Sequence, residues 1–289
     1  MRGVLAAVDL GSGSRAVLES AKVMAEALKG PLTVLHVVAD GYLRSAPRRF
    51  AEVWEPELEP LFAQASAELG RLARKKLERL APEGAELKLP HGNPTQEVAA
   101  EARHHALAVL AAEGSTPLER VARGGVSRYL MHRGEVPVLN VRPDRPLEKL
   151  GTIAVAVDDS SAALAALKAG RALAEASGAG LVAFHLISVG PQSCCVPQYL
   201  PPDALEAADL DRQAEAALRR TLDYDGPLVV ARGEEIVGLL DLAHEHGADL
   251  LIVGSKAKSS HWTRLGRSVV GLLYAADLPL LVVPEAVHL

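Results

Sequence analysis

The chain writes one pattern twice. The stretch "VLAAVDLGSGSRAVLESAKVMAEALKGPLTVLHVV" at 4–38 matches "IAVAVDDSSAALAALKAGRALAEASGAGLVAFHLI" at 153–187, with Asp9 on Asp158 and His36 on His185 at a common offset of 149. Further on, "HGNPTQEVAAEARHHALAVLAAEGS" at 91–115 resembles "ARGEEIVGLLDLAHEHGADLLIVGS" at 231–255, and "VPVLNVRP" at 136–143 resembles "LPLLVVPE" at 278–285. Repetition of a whole element order predicts two domains of one fold. The pattern breaks at "RPDRPLEKL", 142–150, where prolines and charges read as a short linker, so the expected domains are 1–143 and 149–289. A chain of 289 residues is long enough for each to build its own core.

Within each copy, apolar runs alternate with stretches of helical period. The runs fall near 3–8, 32–38, 85–89, 106–111 and 136–141, and again near 151–157, 181–187, 227–231, 249–253 and 278–283. Val17, Ala21, Met24 and Leu28 mark one face of an intervening helix. Runs that are apolar throughout belong to strands covered on both faces. The fold class expected is therefore α/β, two repeats of a five-stranded parallel sheet with helices on both faces. Hydrophobic residues make up 49% of the chain but aromatics only 3%, so the core must be built from Leu, Val and Ala. Gly30-Pro31 and Gly178 stand where the first helix of each copy should stop.

Several function classes are disfavoured. A formal charge of −5 supplies no basic field, and no Lys/Arg cluster is interleaved with aromatics, so nucleic acid is not the expected partner. No run approaches a membrane span, and the opening residues lack the pattern of a signal peptide. Two cysteines make no disulfide framework, and a cytoplasmic setting is expected.

In open parallel sheets, ligands bind beyond the carboxyl ends of the strands. Asp9 and Asp158 sit at that end of the first strand of each copy. The fourth strands lead into "AEGSTPLERVARGGVS" at 112–127 and "VGSKAKSSHWTRLGRSVV" at 253–270, each with glycines around a polar loop and then a helical pattern. Glycines let the backbone approach an anion, and free N–H groups at a helix start meet its charge. An ionised Asp accepts hydrogen bonds from an adenine amino group or a ribose hydroxyl.

On these residues the chain resembles a tandem universal stress protein, two copies of an adenine-nucleotide-binding α/β domain related to the adenine-nucleotide alpha-hydrolases. The resemblance implies a sheet order of 3-2-1-4-5, adenine near the first-strand Asp, and ATP phosphates, with Mg as an optional companion, on a motif of G, two residues, G, nine residues, G, then Ser or Thr. It also implies pairing through the fifth strands, here an internal pseudo-dimer, with a homodimer as a further option. The implied function is a nucleotide-dependent stress-response regulator rather than a turnover enzyme. A slow ATP hydrolase or nucleotidyl transferase and a scaffold that has lost nucleotide binding are the alternatives. The candidate ligand-binding residues are Asp9, Gly114, Gly124, Gly125 and Ser127 in the first copy, and Asp158, Gly254, Ser255, Gly266 and Ser268 in the second.

The motif departs from the family pattern in both copies. Ala111 stands where the first glycine of the first copy belongs, unless Gly114-Ser115 is matched with Gly254-Ser255 at the expense of a shorter loop. In the second copy Ala257 replaces a glycine, the loop to Gly266 is one residue short, and Arg267 follows in place of Ser or Thr. Arg267 either reaches over the phosphates or fills the pocket and pairs with a carboxylate such as Asp158, and the short loop favours filling. More nucleotide is therefore expected in the first copy. Plainer readings stand beside these. Asp9, Asp158, Ser12 and Ser160 suit helix caps, and His36 and His185 suit satisfied histidines within strands. His104-His105 and the pair His244 and His246 are placed on different helix faces. Lys256, Lys258 and Arg264 suit a solvated loop, although three cations beside a glycine loop would favour phosphate electrostatically, and Cys194-Cys195 suits a loop thiol pair. Gly11 and Gly13 begin a dinucleotide fingerprint that lacks its third glycine. No nucleophile with an adjacent base can be assigned, so no catalytic or metal residues are expected.

Overall fold

In a computed structural model of the chain, residues 2–40, 59–112, 125–188, 204–256 and 266–287 are described. They form two compact units, one of 1–130 with 141–146 and the other of 131–140 with 147–289. Ten strands and eight helices are present among the described residues, as five strands and four helices per copy require.

The first unit contains β1 (Val4–Ala7), α1 (Ser14–Ala27), β2 (Leu32–Leu35), α2 (Glu59–Leu80), β3 (Glu86–Lys88), α3 (Pro94–Ala102) and β4 (Leu107–Ala111). Its strands run parallel in the order β3-β2-β1-β4. Val4 lies opposite Leu32 on one side and Leu107 on the other. After α4 (Val126–Arg133) comes β5 (Val138–Val141). Val141 belongs to this unit and accepts from the Ala112 N–H at 2.6 Å.

The second unit contains β6 (Thr152–Ala156), α5 (Ser161–Ser177), β7 (Gly180–Ser188), α6 (Ala204–Leu222), β8 (Leu228–Gly233), α7 (Glu235–Glu245), β9 (Leu250–Ser255), α8 (Arg267–Ala275) and β10 (Leu280–Pro284). Its parallel order β8-β7-β6-β9-β10 is the expected 3-2-1-4-5. Ile153 lies opposite Leu181 and Leu250, so the registers of the two copies superimpose. Val138, Leu139 and Asn140 of β5 group with this unit because they pair antiparallel with Val282, Leu281 and Leu280. The two fifth strands thus meet, and the chain crosses between the compact units inside α4, inside β5 and again within the linker at 146–147.

The apolar runs become strands because helices cover both faces. Leu5, Val34, Leu107, Val109, Ile153, Ala183, Ile252 and Leu281 have no exposed surface. Among the described residues Phe184 is the largest fully buried side chain, and Leu, Val and Ala fill most of the remaining core, as the scarcity of aromatics demands. Val17, Ala21 and Met24 are buried along one side of α1. Gly178 ends α5 in the left-handed conformation, φ 76°. In the first copy Lys29, at φ 50°, takes that conformation instead of Gly30. Gly30 serves close approach, since a Cβ there would stand 3.2 Å from the Arg2 carbonyl.

Candidate functional site

The second unit holds a cavity of about 630 Å³ at the carboxyl ends of β6, β7 and β9. Asp158 enters it from the turn after β6, His185 from β7, Gly254, Ser255 and Lys256 from the end of β9, and Glu235, Gly266 and Ser268 from the starts of α7 and α8. Phe184, Leu239 and Leu272 are among its apolar walls. A half-apolar, half-polar concavity of this size suits a small organic ligand.

Asp158 Oδ1 accepts the Ser160 N–H at 2.9 Å, and Ser160 in turn caps α5 by accepting the Ala163 N–H at 3.2 Å. The cap is therefore Ser160, while Asp158 is exposed at the cavity. Asp9 makes the same turn, accepting the Gly11 N–H at 2.7 Å and also the Ser14 hydroxyl at 3.1 Å. Gly13 is the N-cap of α1, so Ser12 caps nothing. His185 lies within β7 and His36 one residue past the end of β2, and both have one purpose. His36 Nδ1 donates to the Val8 carbonyl and His185 Nδ1 to the Val157 carbonyl, each at 2.8 Å. Each ring pins the backbone immediately before the aspartate and is a satisfied structural histidine, as expected.

Ser255 is 3% exposed, and its hydroxyl finds no hydrogen-bond partner among the described residues. A buried hydroxyl without a partner is costly, and here it borders the cavity. Gly254 beside it meets a second demand. A Cβ there would stand 2.1 Å from the Ala162 carbonyl oxygen, so glycine is required where α5 crosses β9.

Arg267 does not fill the pocket. It is exposed at the first position of α8 and is not among the cavity-lining residues. Successive helical residues point about 100° apart, and Ser268 is the one that turns inward. Its hydroxyl donates to Glu235 Oε1. Glu235 is the residue the sequence reading missed. Its signal was an acidic side chain one position after Gly233-Glu234, at the start of the helix following the third strand.

In the first unit the turn of Asp9 has the same geometry, and Gly125 and Ser127 stand at the start of α4, with Ser127 buried. Gly114 and Gly124 lie outside the described residues, as do Ala257, Lys258, Arg264 and Cys194-Cys195. Strand register places Ala111 opposite Gly254 in the repeat, because Leu107 and Leu250 pair with equivalent residues of β1 and β6. The match of Gly114-Ser115 with Gly254-Ser255 is thereby excluded. Elsewhere in this unit Asp40, fully buried, accepts from Ser66 Oγ and from His91 Nδ1, the latter at 2.6 Å.

Among the described residues no three His, Cys, Asp or Glu side chains converge as metal ligands, and no helix is long and apolar enough to cross a membrane. The family model described as universal stress protein family matches 1–142 and again 149–284. No curated protein sequence matches the chain. Solved structures similar to it span nearly all of it, two of which serve as examples. A universal stress protein from Archaeoglobus fulgidus DSM 4304 is 17% identical with a TM-score of 0.63, covering 98% of this chain and 96% of its own. A functionally unknown protein from Pseudomonas aeruginosa PAO1 is 17% identical with a TM-score of 0.62, covering 98% and 92%. At such identities the structural likeness shows the fold alone. The two family matches cover nearly the whole sequence, and the chain belongs to the universal stress protein family.

Proposed function

We propose that the protein is a stress-response regulator that binds an adenine nucleotide at the carboxyl ends of its sheet strands and acts through occupancy, not turnover. The observation that carries this reading is the cavity beside Asp158, with the buried, unpartnered hydroxyl of Ser255 on its wall. An exposed carboxylate suits a ribose or amino-group donor, apolar walls suit a base, and the lone hydroxyl lacks only a ligand atom. In the first copy Asp9 repeats the turn, and Gly114, Gly124, Gly125 and Ser127 are proposed to carry the phosphates of ATP. Mg, where it accompanies ATP, would ride chiefly on the phosphate oxygens, since the described residues offer no cage of their own. Family membership and the antiparallel pairing of β5 with β10 support an internal pseudo-dimer of the repeats.

Titration calorimetry of the full chain with ATP and with adenosine tests the reading, followed by a sensitive assay for released phosphate. Saturable binding without release is the expected result. Release at a rate abolished by Asp9→Ala would favour the hydrolase alternative, and no binding of either compound would favour the scaffold.

A further inference from the structure

The two carboxylates of the second-unit cavity are placed differently. Asp158 comes from the turn after β6, where an adenine nucleotide site would hold the nucleoside. Glu235 stands at the start of α7 and accepts a hydrogen bond from the Ser268 hydroxyl, beside Gly266 at the start of α8. That is where a glycine-and-hydroxyl helix start would otherwise present its donors to phosphate. Ionised, Glu235 accepts and cannot donate, and it already uses the Ser268 hydroxyl. Lys256 is the one cation among the described lining residues, and it is exposed.

From this arrangement we infer that Glu235 is a specificity-determining residue: it makes the second-unit cavity take an uncharged nucleoside in preference to its phosphorylated forms. The inference rests on the adenine-nucleotide reading of the site. A nucleoside brings hydroxyl and amino donors that match Asp158, Glu235 and the unpartnered Ser255 hydroxyl. A phosphate chain brings only acceptors and negative charge to the side of the cavity where Glu235 is itself acceptor and negative and already holds the Ser268 hydroxyl, and like-charge juxtaposition is strongly disfavoured. In the first copy the residue in the matching place, one after the N-cap Asn93 of α3, is Pro94, which carries no charge.

The test uses the full chain with a chelator present, so that no divalent cation bridges carboxylate to phosphate. Adenosine and ATP are titrated separately while the imidazole C–H resonances of His185 and His36, which flank the two sites, are followed by NMR. Adenosine should move His185 at a concentration at least about tenfold below that needed for ATP. Glu235→Gln replaces an acceptor with a donor for phosphate and should bring the two concentrations within about threefold by improving ATP. Ser268→Ala, which leaves the carboxylate in place, should keep the preference for adenosine. A cooperative thermal transition confirms that each variant is folded. The inference is overturned if ATP matches adenosine in the parent, if Glu235→Gln leaves the ratio unchanged, or if Ser268→Ala abolishes it. If neither compound moves His185 in any variant, the adenine-nucleotide reading of this cavity falls as well.

Discussion

Gly13 and Ala111 face each other where α1 begins beside β4, so closely that a Cβ on Gly13 would stand 2.9 Å from the Cβ of Ala111. In the second copy the glycine has changed sides. Gly254 holds the strand position and Ala162 the helix position, and a Cβ on Gly254 would run into the α5 backbone. Each copy therefore uses one glycine at this crossing, and the apparent loss of the first motif glycine at Ala111 is answered by Gly13.

Overpacking here has a testable sign. Gly13→Ala should destabilise by about 1–3 kcal/mol through the forced shift of two facing methyls. Ala111→Gly alone should cost about 0.5–1 kcal/mol in chain entropy. The double variant should cost clearly less than the sum of the two in denaturant titrations, because the crowding is between the two side chains. Additive costs would mean that the pair is not the point of contact. Gly254→Ala has no such remedy, since its clash is with backbone, and should be the more damaging change.

Ser255→Ala tests whether the lone hydroxyl waits for a ligand. Without ligand the variant should be as stable as the parent or more so by up to about 1 kcal/mol, because an unpaired buried hydroxyl is removed. Its rise in melting temperature with adenosine should shrink. A loss of unliganded stability would show that the hydroxyl is already bonded.

The buried carboxylate of Asp40 makes the opposite case. His91→Ala removes a partner held at 2.6 Å and should destabilise by about 1–3 kcal/mol, as expected when a buried acceptor loses a hydrogen bond. Glu19→Ala, which breaks an exposed pair with Arg15 at 2.7 Å, should leave the denaturation midpoint unchanged. Equal effects of the two would contradict the part assigned to burial.

Tyr224 is almost fully buried, its hydroxyl has no partner among the described residues, and burial holds its pKa above the ordinary value of 10.0. The folded state keeps the proton that the unfolded chain gives up near that value. Tyr224 therefore supports the fold below about pH 10, and its contribution is lost as pH rises further. Tyr224→Phe keeps the ring beside the Arg171 guanidinium, 5.2 Å from its centre, and should flatten the fall in melting temperature above pH 10 without weakening the protein at pH 7. An unchanged alkaline slope would assign that fall to other groups.

What the sequence determined by itself was whatever depends on local pattern. Continuous apolar runs, helical period and a common offset of 149 suffice for two α/β copies, for Asp9 and Asp158 at strand ends, and for the equivalence of His36 and His185, although His36 stands one residue past β2 while His185 lies inside β7. Side-chain periodicity and chain stiffness act over a few residues, so they can be read from a few residues. Tertiary structure alone decided that Ser268 faces the cavity while Arg267 faces solvent, and that Glu235, 33 residues earlier, accepts a hydrogen bond from the Ser268 hydroxyl. It also decided that Gly13 answers Ala111 across nearly a hundred residues. These are contacts between elements, set by the register of strands and the rotation of helices. One residue of displacement turns a helical side chain by about 100°, and no local pattern fixes that angle.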